Sequence, residues 1–372
     1  MFYKSLVLAT IVAGRLCLPL HAQPTLQDAF HDSFRIGAAL HQAIYTGNDA
    51  AGAALVQAQF NSITPENDLK WERIHPTPQG FEFEPADRYV EFGEKNHMFI
   101  VGHCLVWHSQ TPRWVFEDAK GNPVSREELL RRMHDHIFAV VGRYRGRVNG
   151  WDVVNEALNE DGTLRQSPWQ RIIGDDYIAK AFEYAHEADP KAELYYNEYS
   201  LENEAKRKGG VELIRRLLAQ SIPVAAVGLQ GHYHMDWPDV AVVDSTIAAF
   251  RALGVKVNIT ELDVDVLPQV TRTHTADVSA KAEGGANANP YVAGLPAPVQ
   301  QALADRYAAL FGVFLKHRDA IARVTFWGVT DRGSWLNNFP AAGRTNYPLL
   351  FDRDGKPKSA FDAVVGEARA AR

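Results

Sequence analysis

The chain has two cysteines in 372 residues, Cys17 and Cys104, so covalent cross-links cannot be its main support. Residues 1–22 join a lysine, a short apolar stretch and a closing alanine, which is the pattern of a cleavable secretory leader. Arg15 interrupts that stretch, and the run falls short of the roughly 20 apolar residues a membrane span needs. Leu16 and Arg15 precede Cys17 where a lipoprotein site would want small side chains. Removal of the leader leaves Cys104 alone, which excludes an intrachain disulfide and a cysteine-based metal site. The expectation is a secreted or periplasmic protein whose stability rests on its core. Cationic excess is also missing. The net charge is −6, no basic patch of nucleic-acid type stands out, and no membrane association is expected. No Pro/Ser-rich linker or low-complexity tail divides the chain, so residues 23–372 read as one catalytic-sized domain and a monomer is expected.

What is present is a rhythm. Apolar, β-rich runs fall at 34–40, 60–67, 98–108, 147–157, 192–200, 225–234, 255–264 and 322–331. Amphipathic segments lie between them. Residues 125–144 open on Ser125 with Glu128 three positions on, a capping box. Residues 175–190 stop at a proline, 239–254 stop at a glycine, and 297–317 carry clear helical spacing of apolar side chains. Alternating strands and helices in this number predict an α/β fold, a single (β/α)8 TIM barrel. A doubly wound open sheet is the alternative. The first strand, however, runs into "GAALHQAIYTGNDA", which lacks a glycine-rich phosphate loop, and no cofactor is expected. One irregular insert, 265–297, reads as a long loop after the seventh strand.

In such barrels the active site lies at the C-terminal strand ends. Here those ends read "ITPENDLKWE", "GHCLVWHSQTP", "VVNEA", "YYNEYS", "GLQGHYH", "ITELDV" and "VTFWGVTDRGSW". Polar, charged and aromatic residues gather there, just past apolar runs. Two ends place a glutamate directly after a β-branched run, Glu156 and Glu261. A carboxylate leaving water without a partner is costly, so each should be paired or functional. Two carboxylates facing one cleft are the apparatus of glycoside hydrolysis, one as protonated acid and the other ionised. Asn155, beside the acid, is then placed to hydrogen-bond the sugar hydroxyl next to the reacting carbon.

The strings "TPENDLKWE", "GHCLVWHSQTP", "WDVVNEA", "GLQGHYH", "ITELDV" and "FWGVTDRGSW", in this order over about residues 30–365, resemble glycoside hydrolase family 10, chiefly endo-1,4-β-xylanases. The resemblance implies a (β/α)8 barrel, xylan and xylo-oligosaccharides as substrate, and hydrolysis with retention. It implies Glu156 as acid/base and Glu261 as nucleophile. It places Glu66, Asn67 and Lys70 on the sugar at the non-reducing side, and His103, Trp107 and Gln110 along the same pocket. Tyr199, Gln230 and His232 would surround the nucleophile, and Trp327 and Trp335 would form aromatic walls. Period-two geometry puts Glu261 and Asp263 on one side of their strand, where His232 could bridge them. Strict alternation puts His103 and Trp107 on one face but Gln110 on the other, so the third strand needs a local break. Family members carry a non-prolyl cis peptide after the residue matching His103, which implies one at His103–Cys104.

Rival readings have stated grounds. Lys70 lies one helical turn from Glu66 and could simply pair with it. Trp107, Trp327 and Trp335 could be core. His232 and His234, two residues apart, could ligate zinc with His103, but further convergent ligands are lacking and no metal is expected. A non-catalytic xylan-binding protein would keep the tryptophans and be free to lose a carboxylate. A β-1,4-glucanase on the same fold is the remaining alternative.

Overall fold

The computed structural model describes residues 24–270, 276–279, 281–282 and 288–372. The leader expected at 1–22 and parts of the 265–297 loop lie outside the described residues. The strands are β1 (Arg35–Leu40), β2 (Ser62–Pro65), β3 (Phe99–Trp107), β4 (Gly150–Asn155) and β5 (Glu193–Glu198). They continue with β6 (Ala226–Leu229), β7 (His232–His234), β8 (Lys256–Asp265) and β9 (Ile321–Phe326). All neighbours pair in parallel, and pairing of β1 with β9 and of β6 with β8 closes the sheet into a barrel. β6 and β7 both pair with β8 and form one broken stave, so the barrel has the expected eight. The break falls at Gln230–Gly231, where Gly231 has φ +80°, a conformation glycine takes without steric cost. Each of the apolar runs read from sequence coincides with one stave, β8 and β9 overrunning theirs by one residue.

The helices follow from apolar spacing. Arg126–Arg143, Tyr177–Ala188, Val240–Arg251 and Ala297–Lys316 occupy the expected segments. Only half of the capping box forms. Ser125 accepts from the Glu128 N–H, but the Glu128 carboxylate turns to Arg131 and Arg132 instead of reaching back. Ala50–Gln59 buries little beyond Gly52 and Val56, and so gives a weak periodic signal in the sequence.

Strand side chains on the outer face pack under the helices. Ile36, Ile63, Ile100, Val153, Val227, Ile259 and Val324 belong to one continuous buried core. Each such side chain, fully buried, contributes roughly 1.5–3 kcal/mol. A separate small cluster joins Val101, Tyr195 and Ala226. With the core outside the sheet, residues at the strand ends are left free to carry polar chemistry.

Close packing leaves no slack at Gly102. A Cβ there would lie 2.0 Å from Cε3 of the fully buried Trp151. Gly102→Ala is expected to destabilise the protein by about 1–3 kcal/mol, as overpacked cores do, read as a lower urea midpoint at unchanged slope.

Candidate active site

One cleft of about 610 Å³ opens at the C-terminal ends of the strands. Glu66, Asn67, Lys70, His103, Trp107, Gln110, Asn155, Glu156, Gln230, His232, Glu261, Trp327 and Trp335 line it, joined by Ala276 and Val278. Residues from six of the eight staves therefore converge, and Tyr199 is the only expected site residue that the cleft lining does not include.

Local departures from regular strand geometry produce this convergence. Adjacent residues of a strand point to opposite faces, which would separate Asn155 from Glu156. β4 ends at Asn155, and Glu156 takes φ +58°, an uncommon left-handed conformation for a side-chain-bearing residue. Asn155 Nδ2 then donates to Glu156 Oε1 at 3.1 Å. On β3, the pairing with β4 shifts between His103 and Val106, the His103–Cys104 peptide is cis as the resemblance implied, and Gln110 has φ +44°. The register shift and the turn at Gln110 supply the break needed to bring His103, Trp107 and Gln110 to one wall.

Glu156 is only 4% exposed, and three side chains hold it. Trp107 Nε1 donates to Oε2 at 2.7 Å, and Gln230 Nε2 donates to Oε1 at 3.0 Å beside the Asn155 contact. Trp107 is thus a donor to a carboxylate as well as a wall. Burial pushes the Glu156 carboxyl up to about 7, and the charge of Glu198 adds to the effect.

Glu261 is equally buried but differently surrounded. His232 Nε2 lies 3.1 Å from its Oε2, and Asn197 Nδ2 donates to its Oε1 at 2.7 Å. Burial alone would raise this carboxyl. The His232 hydrogen bond, the neighbouring His103 and the Asn197 amide outweigh it and hold Glu261 below the usual range. His232 bridges as expected, its Nδ1 lying 3.0 Å from Asp263 Oδ1. Desolvation by itself would lower the imidazole, yet Asp263 and Glu261 on its two nitrogens raise it to about 10.

Asn197 Nδ2 also donates to Asn155 Oδ1 at 2.8 Å. A chain of two amides therefore links one oxygen of Glu156 to one oxygen of Glu261. Asn197 Oδ1 accepts from Thr260 at 2.6 Å, which fixes the orientation of the amide.

At the other end of the cleft, Lys70 Nζ donates to Asn67 Oδ1 at 3.2 Å and to Gln110 Oε1 at 2.9 Å. It engages these amides instead of forming the simple pair with Glu66. Burial lowers the Lys70 ammonium and raises the Glu66 carboxyl to about 7, with Lys70 opposing the latter and Asp68 adding to it. His103 Nδ1 meets Asp152 Oδ2 at 2.9 Å, which fixes the ring from behind. Trp327 stands edge-on to His103, and Trp335 stacks on Phe339 with centroids 4.4 Å apart. Trp335 Nε1 donates to Asp263 Oδ2 at 2.7 Å. Among the described residues no three His, Cys, Asp or Glu side chains are grouped to hold a metal, and both nitrogens of His232 are occupied by carboxylates.

Two points correct the reading from sequence. Tyr199 does not flank Glu261. It is 2% exposed, its hydroxyl accepts from Arg165 at 2.8 Å, and Lys206 Nζ sits 3.3 Å from its ring centroid. β5 ends at Glu198, so Tyr199 turns beneath the hairpin that follows β4, and Asn197 takes the place on Glu261. Asn197 was legible in "YYNEYS" as the residue sharing a face with Tyr195. The second omission is Glu198, wholly buried and paired with the equally buried Lys206 at 3.0 Å. Nothing in their spacing marks that pair.

A parallel barrel that gathers two buried carboxylates of opposite proton affinity between aromatic walls defines a glycoside hydrolase. Residues 25–367 match the profile of glycosyl hydrolase family 10. Endo-1,4-beta-xylanase A of Xylanibacter ruminicola is 43% identical over 356 residues, covering 95% of this chain and 96% of that protein. Endo-1,4-beta-xylanase B of Paenibacillus barcinonensis is 39% identical, covering 92% and 98%. A solved endoxylanase of the same family, retrieved from a sugarcane soil metagenome, superposes with a TM-score of 0.90 at 48% identity, covering 92% of this chain and 99% of its own. The chain belongs to glycosyl hydrolase family 10.

His232 makes stability depend on pH. Its folded value lies above its unfolded one, so its contribution is complete below about pH 6.5 and is lost as pH rises through about 10. Urea unfolding at pH 6, 8 and 10 should show a declining free energy in the wild type, and His232→Asn should flatten the decline across that window.

Proposed function

We propose that the protein is a retaining endo-1,4-β-xylanase in which Glu156 is the acid/base and Glu261 the nucleophile. One observation carries the assignment of roles: the two carboxyls share an amide link yet are driven in opposite directions. Glu156 is held protonated up to about pH 7, while Glu261 is held ionised. An acid and a nucleophile need this division. The names of the two relatives above, both endo-1,4-beta-xylanases, support the substrate and the internal position of the cut.

Glu261 attacks the anomeric carbon and forms the glycosyl–carboxylate bond. The bond to the leaving oxygen breaks, and that oxygen takes the Glu156 proton. Glu156, now a carboxylate, removes a proton from water. The water oxygen displaces Glu261 from the anomeric carbon, and both side chains return to their starting states. Asn155 faces the 2-hydroxyl of the reacting sugar, and the buried Asn197 braces Asn155 and Glu261 from behind. Glu66, Asn67, Lys70, His103 and Gln110 bind the glycone, and Trp327 and Trp335 flank its rings. Gln230 orients the acid and His232 orients the nucleophile.

The export reading belongs here too. Residues 1–22 are proposed as a secretory leader, on their composition, and 23–372 as the catalytic domain, secreted or periplasmic; the N-terminal sequence of the mature protein checks this. Among the described residues no helix is long and apolar enough to cross a membrane. Val292 is the only exposed large hydrophobic there, in keeping with a monomer.

Mutant kinetics test the roles. Glu261→Ala is expected to abolish turnover on linear xylan and on aryl xylosides alike. Glu156→Ala should cost roughly 10²–10⁴-fold on xylan but far less on aryl glycosides with good leaving groups, which need little protonation. Equal losses on both substrates in both variants would reverse or dismiss the assignment. Products released early should keep the β configuration by NMR, and carboxymethyl cellulose run beside xylan decides the sugar class.

The pH profile follows from the same two groups. The alkaline limb of kcat/KM should fall near pH 7, because Glu156 must carry its proton, and the acid limb should lie below the ordinary carboxylate range. Exhaustive chelation is expected to leave activity unchanged, and a loss restored by zinc would count against the two-carboxylate route.

A further inference from the structure

Two residues of the cleft lining have no place in the chemistry just described. Ala276 and Val278 come from the loop after β8 and are apolar, whereas most of the remaining lining is charged, amide-bearing or aromatic. The residue between them points elsewhere. Asp277 Oδ2 meets Arg165 Nη1 at 3.1 Å, and the two side chains are only 20% and 18% exposed. The other oxygen, Oδ1, accepts from the Ser279 N–H at 2.9 Å and its hydroxyl at 2.7 Å. Both ends of the carboxylate are thus committed, one to the shape of the loop and one to its anchor.

The anchor is itself fixed. Arg165 lies in the hairpin that follows β4, where its N–H donates to Ala157 O at 2.7 Å and Leu158 bridges Leu164. Its guanidinium also donates to Tyr199 Oη at 2.8 Å. The ion pair therefore joins the loop leaving the strand of Glu261 to the hairpin leaving the strand of Glu156. It holds two apolar side chains against the cleft, where they fill volume and offer a sugar hydroxyl no partner.

We propose that the Arg165–Asp277 ion pair sets substrate specificity by fixing Ala276 and Val278 as a steric wall against xylose units that carry a further sugar on a ring hydroxyl. Asp277 is a positioning residue here, and Val278 is the contact that discriminates. The proposal rests on the xylanase reading above and deepens it.

The test compares kcat/KM on an arabinose-decorated xylo-oligosaccharide with kcat/KM on the undecorated chain of equal length. Val278→Ala should raise the decorated-to-undecorated ratio by about tenfold, the scale at which small volume changes in a pocket are felt. Asp277→Ala should raise it in the same direction, and Asp277→Glu, which keeps a carboxylate for Arg165, should bring it back toward the wild-type value. A merely structural loss would lower both rates together and leave the ratio alone. An unchanged ratio in Val278→Ala overturns the wall. A raised ratio there with an unchanged ratio in folded Asp277→Ala overturns the ion pair's part in it. Failure of the wild type on the undecorated chain instead sinks the xylanase reading itself.

Discussion

The structure turns on holding two carboxylates out of water, within reach of each other, without allowing them to titrate alike. Like charges in one dry site resist joint ionisation. The protein meets this with donors instead of distance. Glu261 receives an imidazole that is itself flanked by Asp263, while Glu156 receives an indole and amides, all neutral. The asymmetry is electrostatic and local. It explains why the two glutamates sit on different strands: each needs its own set of neighbours, and one strand end cannot supply both.

Behind this pair stands a second layer of buried charge. Glu198 is wholly buried and adds to the raised affinity of Glu156 for its proton. It accepts from Leu158 N–H at 3.0 Å, from Tyr196 at 2.7 Å and from Lys206 at 3.0 Å. Such a buried ion pair seldom adds net stability over an apolar replacement, and breaking one partner costs about 3–5 kcal/mol. Its place next to Glu156 makes most sense as tuning, since its charge adds to the hold of Glu156 on its proton.

Much of the fold was legible because its signals are local. Apolar runs at strand spacing and a helical period between them give a barrel, and every run marks a stave to within a residue. The places that were hardest to read are those where the chain leaves its regular period. The sixth run breaks at Gly231 and Glu156 adopts a left-handed turn, neither of which the sequence announces, while the slip of β3 against β4 was legible as a need for some break but not in its form. Each moves a side chain to a face that alternation denies it, and each lies at the cleft. Tyr199 failed for the same reason: a residue one position past a strand end has no face assigned by the strand. Asn197, one position inside it, does. Pairs such as Glu198 with Lys206 or Arg165 with Asp277 depend on how separate elements are brought together, and no sequence interval announces them.

The Trp335 indole carries a consequence beyond stacking. Its flat face is part of the cleft lining, and its N–H holds Asp263, which holds His232, which holds Glu261. The indole and the Glu261 carboxylate are thus the two ends of one lever. On the proposed function, a sugar pressing on the indole would meet the far end of the support that keeps Glu261 charged. On the proposed roles, binding and reactivity share a skeleton, so a change made at the indole to alter which sugar fits will also be registered, three hydrogen bonds away, at the Glu261 carboxylate.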